Sequence, residues 1–257
     1  MHNTAEILGS LAAEINILGR QLKLSNHFTE RCLSEGTPEQ LVFIRDRLQE
    51  DVELRAENKL NRLLKRAGFP VFKTFDGYET DKVRLPEQLT FDTIRACSFM
   101  QERTNLILFG PVGVGKTHMA VAIGVEACRL GHSVRFFTVA GLVRFLSESS
   151  RSGKLQSVLK SLNQADLLIL DEWGYVPVDK EGSRLLFQVI ADRHETKSMI
   201  ITTNLEFSRW GSVLTDEQMA AAIIDRLVHF GYLISFKGES YRVEHSLMRR
   251  VRKTGAN

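Results

Sequence analysis

The sequence predicts an α/β fold with a five-stranded parallel sheet, preceded by a small all-α N-terminal domain. Three observations carry this. Five short apolar runs, Asn105–Phe109, Val134–Val139, Asp166–Leu170, Met199–Thr203 and Tyr232–Phe236, alternate with helix-like stretches, the pattern of strands joined by crossover helices. The segment 1–68 shows helical spacing and none of these runs. A glycine-rich segment joins the first run to a helix.

The composition fits a globular chain. Hydrophobic residues are 43% and charged residues 25% of the sequence, which excludes a disordered chain, a collagen and a disulfide scaffold. A chain this long can bury a core without metal or disulfide staples. The formal net charge of +3 permits a polyanionic partner without demanding one. No apolar stretch approaches the roughly 18 residues of a membrane helix, and Met1–Glu6 lacks the basic start of a signal peptide. The expectation is a cytoplasmic protein with no membrane partner. Cys32, Cys97 and Cys128 form no CxxC and read as buried, reduced thiols. The seven histidines show no ligand spacing, so no metal held by protein ligands alone is expected.

In the helical part, Ile7, Leu8, Leu11, Ile15 and Leu18 recur at helical spacing. Thr37-Pro38-Glu39-Gln40 marks a helix start, with Thr37 as cap, Pro38 at the first position and Gln40 closing a capping box. Leu41, Ile44, Leu48 and Val52 then share one face, and Gly68 and Pro70 end the helix. Basic and acidic residues balance at ten each in the segment 1–66, as on the mixed surface of a bundle; a DNA- or partner-binding module is the sharper alternative. The expected organisation is 1–68 helical, 69–240 α/β core and 241–257 basic tail.

The chemistry begins at Gly110-Pro111-Val112-Gly113-Val114-Gly115-Lys116-Thr117, a complete GxxxxGK[ST] between an apolar strand and a helix starting near His118. Glycines let backbone N–H groups turn toward phosphates without side-chain clash, and the helix N-terminus adds partial positive charge. Lys116 would reach the β- and γ-phosphates and Thr117 would ligate Mg²⁺. The run Leu167-Leu168-Ile169-Leu170 ends in Asp171-Glu172. Asp171 at a strand end suits Mg²⁺, and Glu172 suits activation of a water. Asn204, after Ile200-Ile201-Thr202-Thr203, is placed to orient that water. Arg226, on the polar face of a helix over Ala222–Leu227, is either a surface arginine paired with an acid such as Asp225 or the group that stabilises a transferring phosphoryl. Together these predict ATP and Mg²⁺ as ligands.

These elements, in this order, resemble the AAA+ ATPases. More narrowly the chain looks like an IstB-type transposition helper ATPase and is similar to the DnaC-type helicase loaders of the same clade. The stretches that carry the likeness are Ala67–Pro70, Lys73–Tyr78, Gly115–His118, Thr202–Leu205 with Trp210-Gly211, Asp225–Leu227 and Gly238–Arg242. The resemblance implies that Gly110–His118 bind ATP, that Lys116, Glu172 and Asn204 serve hydrolysis, and that Arg226 reaches a neighbouring subunit's ATP. It implies that Thr117 and Asp171 hold Mg²⁺, that Arg242 occupies a second-sensor position without the usual helical lid, and that Thr74–Tyr78 flank the adenine. Trp173 departs from the aliphatic residue more usual in the family. The implied function is an ATP-dependent helper of an IstA-like transposase. It would assemble as a helical or ring homo-oligomer on duplex DNA, through Arg144, Arg151, Lys154 and Lys160, with Arg151 presented by a flexible Ser147–Gly153 loop. The alternative is a DnaC-like helicase loader on single-stranded DNA, which the buried character of Phe136-Phe137 fits poorly.

Overall fold

The computed structural model describes residues 2–175, 177–214 and 216–241. The chain divides into two compact units, Met1–Arg62 and Leu63–Asn257.

The first unit contains α1 (His2–Gln21), α2 (Asn26–Glu35) and most of α3 (Pro38–Ala67). Ser25 caps α2 by accepting the Phe28 N–H. The capping box at the start of α3 forms as the sequence indicates. The Gln40 N–H donates to Thr37 Oγ1 and the Thr37 N–H to Gln40 Oε1, at 3.4 and 2.9 Å. Leu11, Ile15 and Leu41 make the buried centre, with Leu33, Ile44 and Leu48 packed against it.

The second unit follows the order β1 (Val83–Arg84), α4 (Phe91–Arg95), β2 (Asn105–Phe109), α5 (Lys116–Arg129), β3 (Val134–Thr138), α6 (Val139–Arg151) and α7 (Leu155–Gln164). It continues with β4 (Leu167–Trp173), α8 (Lys180–Arg193), β5 (Ser198–Thr203), α9 (Gly211–Leu214), α10 (Glu217–His229) and β6 (Gly231–Phe236). The sheet order is β1-β6-β2-β5-β4-β3. All five expected strands form and pair in parallel. The sixth, β1, joins antiparallel along β6. It consists of Val83 and Arg84 alone, too short to leave an alternation in the sequence.

Both faces of the sheet are covered, which is why its strands are apolar throughout. Ile107, Leu168, Leu170, Met199 and Ile201 pack with Leu142, Leu159, Leu186 and Ile223 from α6, α7, α8 and α10. Ile169 points to the other face, where α5 lies so close that a Cβ on Gly124 would sit 2.9 Å from its Cδ1. Arg193, only 1% exposed, fastens the strand starts. Its guanidinium donates to the carbonyls of Leu162, Ala165 and Ser198 at 2.9–3.0 Å. Burial brings its pKa down to about 10, with Asp166 opposing the shift.

Two expectations are corrected. Most of the Ser147–Gly153 stretch is helix, not loop, and only Ser152 and Gly153 form a turn. Helix α6 continues to Arg151 because Leu142, Leu146 and Ser149 bury one helical face. The Ser149 hydroxyl donates to the Phe145 carbonyl at 2.7 Å. Cys97 and Cys128 are buried free thiols, raised by burial to about 12 and about 11, but Cys32 is only half-buried because it lies on the small helix α2.

Candidate nucleotide site

β2 delivers Gly110 at the C-terminal edge of the sheet, where ligands of open α/β sheets bind. The Gly110 N–H donates to the Thr203 carbonyl at 3.2 Å, so the loop starts against the end of β5. Gly113 has a φ of +83°. A Cβ there would collide with Ser240 Oγ, so only glycine fits. The cause is the segment after β6, which lies on the loop and donates the Tyr241 N–H to the Gly113 carbonyl at 3.0 Å. The sequence linked this segment to the site through Arg242. That residue lies outside the described residues, and the observed contacts are made by Ser240 and Tyr241.

Lys116 opens α5 and is buried. Its ammonium donates to the carbonyls of Gly110 and Pro111 at 2.7 and 2.6 Å, which holds it over the loop it belongs to. Thr117 Oγ1 donates to the Asp171 carboxylate at 2.9 Å, bringing together two sequence-predicted residues 54 positions apart. Both are hard oxygen donors, the set that suits Mg²⁺.

β4 does not stop at Leu170. It carries Asp171 and Glu172 inside a bulge, where Leu170 pairs with Ile201 and Trp173 with Thr203, so both acids oppose the single residue Thr202. Thr202 Oγ1 donates to Asp171 Oδ1 and accepts the Glu172 N–H at 3.0 Å. Glu172 takes a φ of +62°, a strained value for a residue with a side chain. It is exposed, while Asp171 and Trp173 on either side are buried. Thr202 was missed as a site residue in the sequence reading. The available signal was the paired hydroxyls Thr202-Thr203 closing the apolar run Met199-Ile200-Ile201.

Asn204 follows Thr203, the residue that holds Gly110. Its Oδ1 is buried and has no hydrogen-bond partner among the described residues, an acceptor left for a ligand or water. His118 Nε2 sits 2.8 Å from the Thr74 carbonyl, and its ring lies 4.9 Å from that of Tyr78. The Tyr78 hydroxyl donates to the Gly115 carbonyl at 3.4 Å, and burial raises its pKa. The Thr74–Tyr78 segment therefore lies against the end of the glycine loop.

The model of the IstB-like ATP binding protein family matches residues 27–249. The chain belongs to this family. This IstB-like chain is 33% identical to the ATP-binding protein of insertion sequence IS21 from Pseudomonas aeruginosa, over 90% of its own length and 89% of that protein's. It is 34% identical to the ATP-binding protein of IS5376 from Geobacillus stearothermophilus, over 80% and 82%. Among solved structures, DnaI matches with TM-score 0.51 at 21% identity, covering 70% of this chain and 93% of that one. DnaA bound to AMPPCP and single-stranded DNA matches with TM-score 0.54 at 16% identity, over 74% and 57%. These two likenesses show the fold alone, the arrangement of sheet and helices described above.

Arg226 of the IstB-like chain is not brought to the loop. It lies in the last turn of α10, half-buried, with its guanidinium 4.9 Å from the Phe187 ring and Nη1 donating to the Ala222 carbonyl at 2.8 Å. The next residue, Leu227, accepts the Asn105 side-chain amide at 3.3 Å, at the start of β2. The glycine loop leaves the other end of that strand, roughly 15 Å away at about 3.3 Å per residue. Arg144, Arg151, Lys154 and Lys160 are all exposed along α6, the turn after it and α7. Arg144 and Arg151, two helical turns apart, share one face. Among the described residues no helix is long and apolar enough to cross a membrane.

Proposed function

We propose that this IstB-like protein hydrolyses ATP at sites completed by a second copy of the chain, and that the assembly acts on duplex DNA for its transposase. The carrying observation is that the glycine loop and Arg226 occupy opposite edges of one sheet. A group roughly 15 Å down the strand cannot serve its own loop, but in a head-to-tail assembly it meets the loop of the next copy.

In this reading the loop N–H groups and Lys116 hold the phosphates, and His118 keeps the Tyr78 segment at the base side of the nucleotide. Thr117 and Asp171 hold Mg²⁺, which when bound neutralises charge on the β- and γ-phosphates. Glu172 accepts the proton of a water whose oxygen attacks the γ-phosphorus, and the bond to the β-bridging oxygen breaks to give ADP and phosphate. Asn204 offers its unpartnered oxygen to that water, and the neighbour's Arg226 stabilises charge on the departing phosphoryl group. The exposed Arg144, Arg151, Lys154 and Lys160 supply phosphate contacts with little sequence preference.

The test is binding of the full chain to a labelled duplex and to a matched single strand, with ADP, ATP or a non-hydrolysable ATP analogue, with size followed by sedimentation. The expected result is a large species on duplex that forms only with the triphosphate. Preference for the single strand would favour a helicase-loader role instead.

A further inference from the structure

Three ligand-type side chains, two consecutive in sequence and one distant, meet at the edge of the sheet away from the glycine loop. They are His194 and Glu195, just after α8, and His229, the last residue of α10. One nitrogen or oxygen from each lies within 4.8 Å of the others. We infer that they form a binding site for a divalent transition cation of the zinc class.

The His194 tautomer is fixed by its surroundings. Nδ1 lies 3.2 Å from the Arg226 carbonyl, which can only accept, so Nδ1 carries the hydrogen. Arg226 is among the last residues of α10, whose carbonyls lack helical partners. This N–H to a backbone carbonyl is the usual support behind a metal-binding imidazole. Nε2 is then directed at Glu195 Oε1, 3.5 Å away. In the neutral ring these are two lone pairs facing each other, and a cation bound to both relieves the opposition.

The setting also favours positive charge. α8 ends at Arg193 and α10 at His229, so two helix C-termini meet here and bring their partial negative charge. Glu195 is held at a φ of +59°, and its carbonyl accepts from Arg103 Nη1 at 3.2 Å, which fixes the backbone beneath the carboxylate. Two imidazoles and one carboxylate match a zinc ligand set with a position left for water, and they favour zinc over the all-oxygen preference of magnesium. Bonds of about 2.1 Å would bring the ligand atoms to about 3.4 Å from one another. Glu195 and His229 are exposed and can close that difference by rotating. His194 and His229 are separated in the chain by β5, α9 and the rest of α10, which explains why no ligand spacing appears in the sequence.

A bound metal would fasten the last turn of α10 to the connection after α8. Because His194 holds the Arg226 carbonyl, it would stiffen the turn that carries the Arg226 guanidinium. That consequence rests on the proposed trans role of Arg226, whereas metal binding does not.

The experiment is zinc titration of the full chain by calorimetry, with melting temperature and the visible spectrum of the cobalt(II) form as independent readings. It is done in a Cys32→Ser background to remove the half-buried thiol. The expected result is one strong equivalent that raises the melting temperature, with no comparable effect of magnesium. His229→Ala and Glu195→Gln, both at exposed positions, should each weaken zinc binding at least about tenfold, since supporting groups alone are worth about 10–100-fold. Equal zinc affinity in the parent and His229→Ala, or no zinc binding at all, would overturn the assignment. ATP turnover plays no part in this outcome, so the metal site and the ATP reading can fail separately.

Discussion

Thr202 and Asp171 are joined across β5 and β4 by a hydrogen bond from a threonine hydroxyl to a carboxylate, inside the bulge that presents the two acids. The same hydroxyl accepts the Glu172 N–H. One side chain thus sets the carboxylate facing Thr117 and the backbone turn that exposes Glu172.

Thr202→Val keeps the shape and removes both bonds. The Glu172 N–H loses its partner at a cost of about 1–3 kcal/mol, and the misplaced acids should lower ATP turnover about 10- to 100-fold. Thr202→Ser should restore most of the turnover. Steady-state ATPase assays with thermal unfolding check this, and wild-type turnover in Thr202→Val would remove the positioning role.

Lys116→Ala should abolish ATP binding, and Glu172→Gln should bind ATP without hydrolysing it. Arg226→Ala should retain ATP binding but lose turnover. Mixing Lys116→Ala with Arg226→Ala should recover part of the activity, because each supplies what the other's site lacks. Nucleotide binding by fluorescence and ATPase assays of the mixtures give the answer. A mixture as inactive as its components would show that Arg226 does not act between copies.

Trp173→Leu replaces the indole with an aliphatic side chain. Trp173 is buried and stacks on Trp210 at 4.5 Å, while its own Nε1 has no partner among the described residues. Losing the stack costs about 0.5–1.5 kcal/mol beyond buried area, and the smaller side chain leaves a cavity. Removing the unpartnered N–H returns about 1–3 kcal/mol. The expected net destabilisation is therefore modest, about 1–2 kcal/mol, below the roughly 3–5 kcal/mol of a tryptophan-to-alanine change. Denaturant unfolding measures it.

Asp166 gives a pH dependence. Burial alone would raise its pKa, but the Lys197 ammonium at 2.7 Å and the Ser133 N–H and hydroxyl outweigh it, lowering the value from 3.8 to about 2. A carboxyl depressed in the folded state stabilises fully above its unfolded pKa and loses that contribution as pH falls through the folded one. Asp166→Asn should therefore melt lower than wild type at pH 7. The gap should close between about pH 4 and about pH 2, as followed by melting temperature across that range. A gap unchanged at the acid end would show that the carboxylate's charge is not its source.

Much of this protein is legible in the chain itself. The capping box at Thr37, the five parallel strands, the glycine loop and the two acids after Leu170 all rest on local rules of spacing, turn chemistry and alternation, which act between neighbours in sequence. What only the tertiary structure decided depends on residues far apart in sequence. Thr202 is an ordinary strand threonine until β5 is placed beside the β4 bulge. Ser240 and Tyr241 acquire a role only when the chain after β6 settles on Gly113. The separation of Arg226 from the glycine loop follows from which end of β2 each one borders. His229 comes to His194 and Glu195 because α8 and α10 end at the same edge. Local composition sets which elements form, but strand order and helix packing decide which side chains meet, because those contacts form only when distant elements bury their apolar faces together.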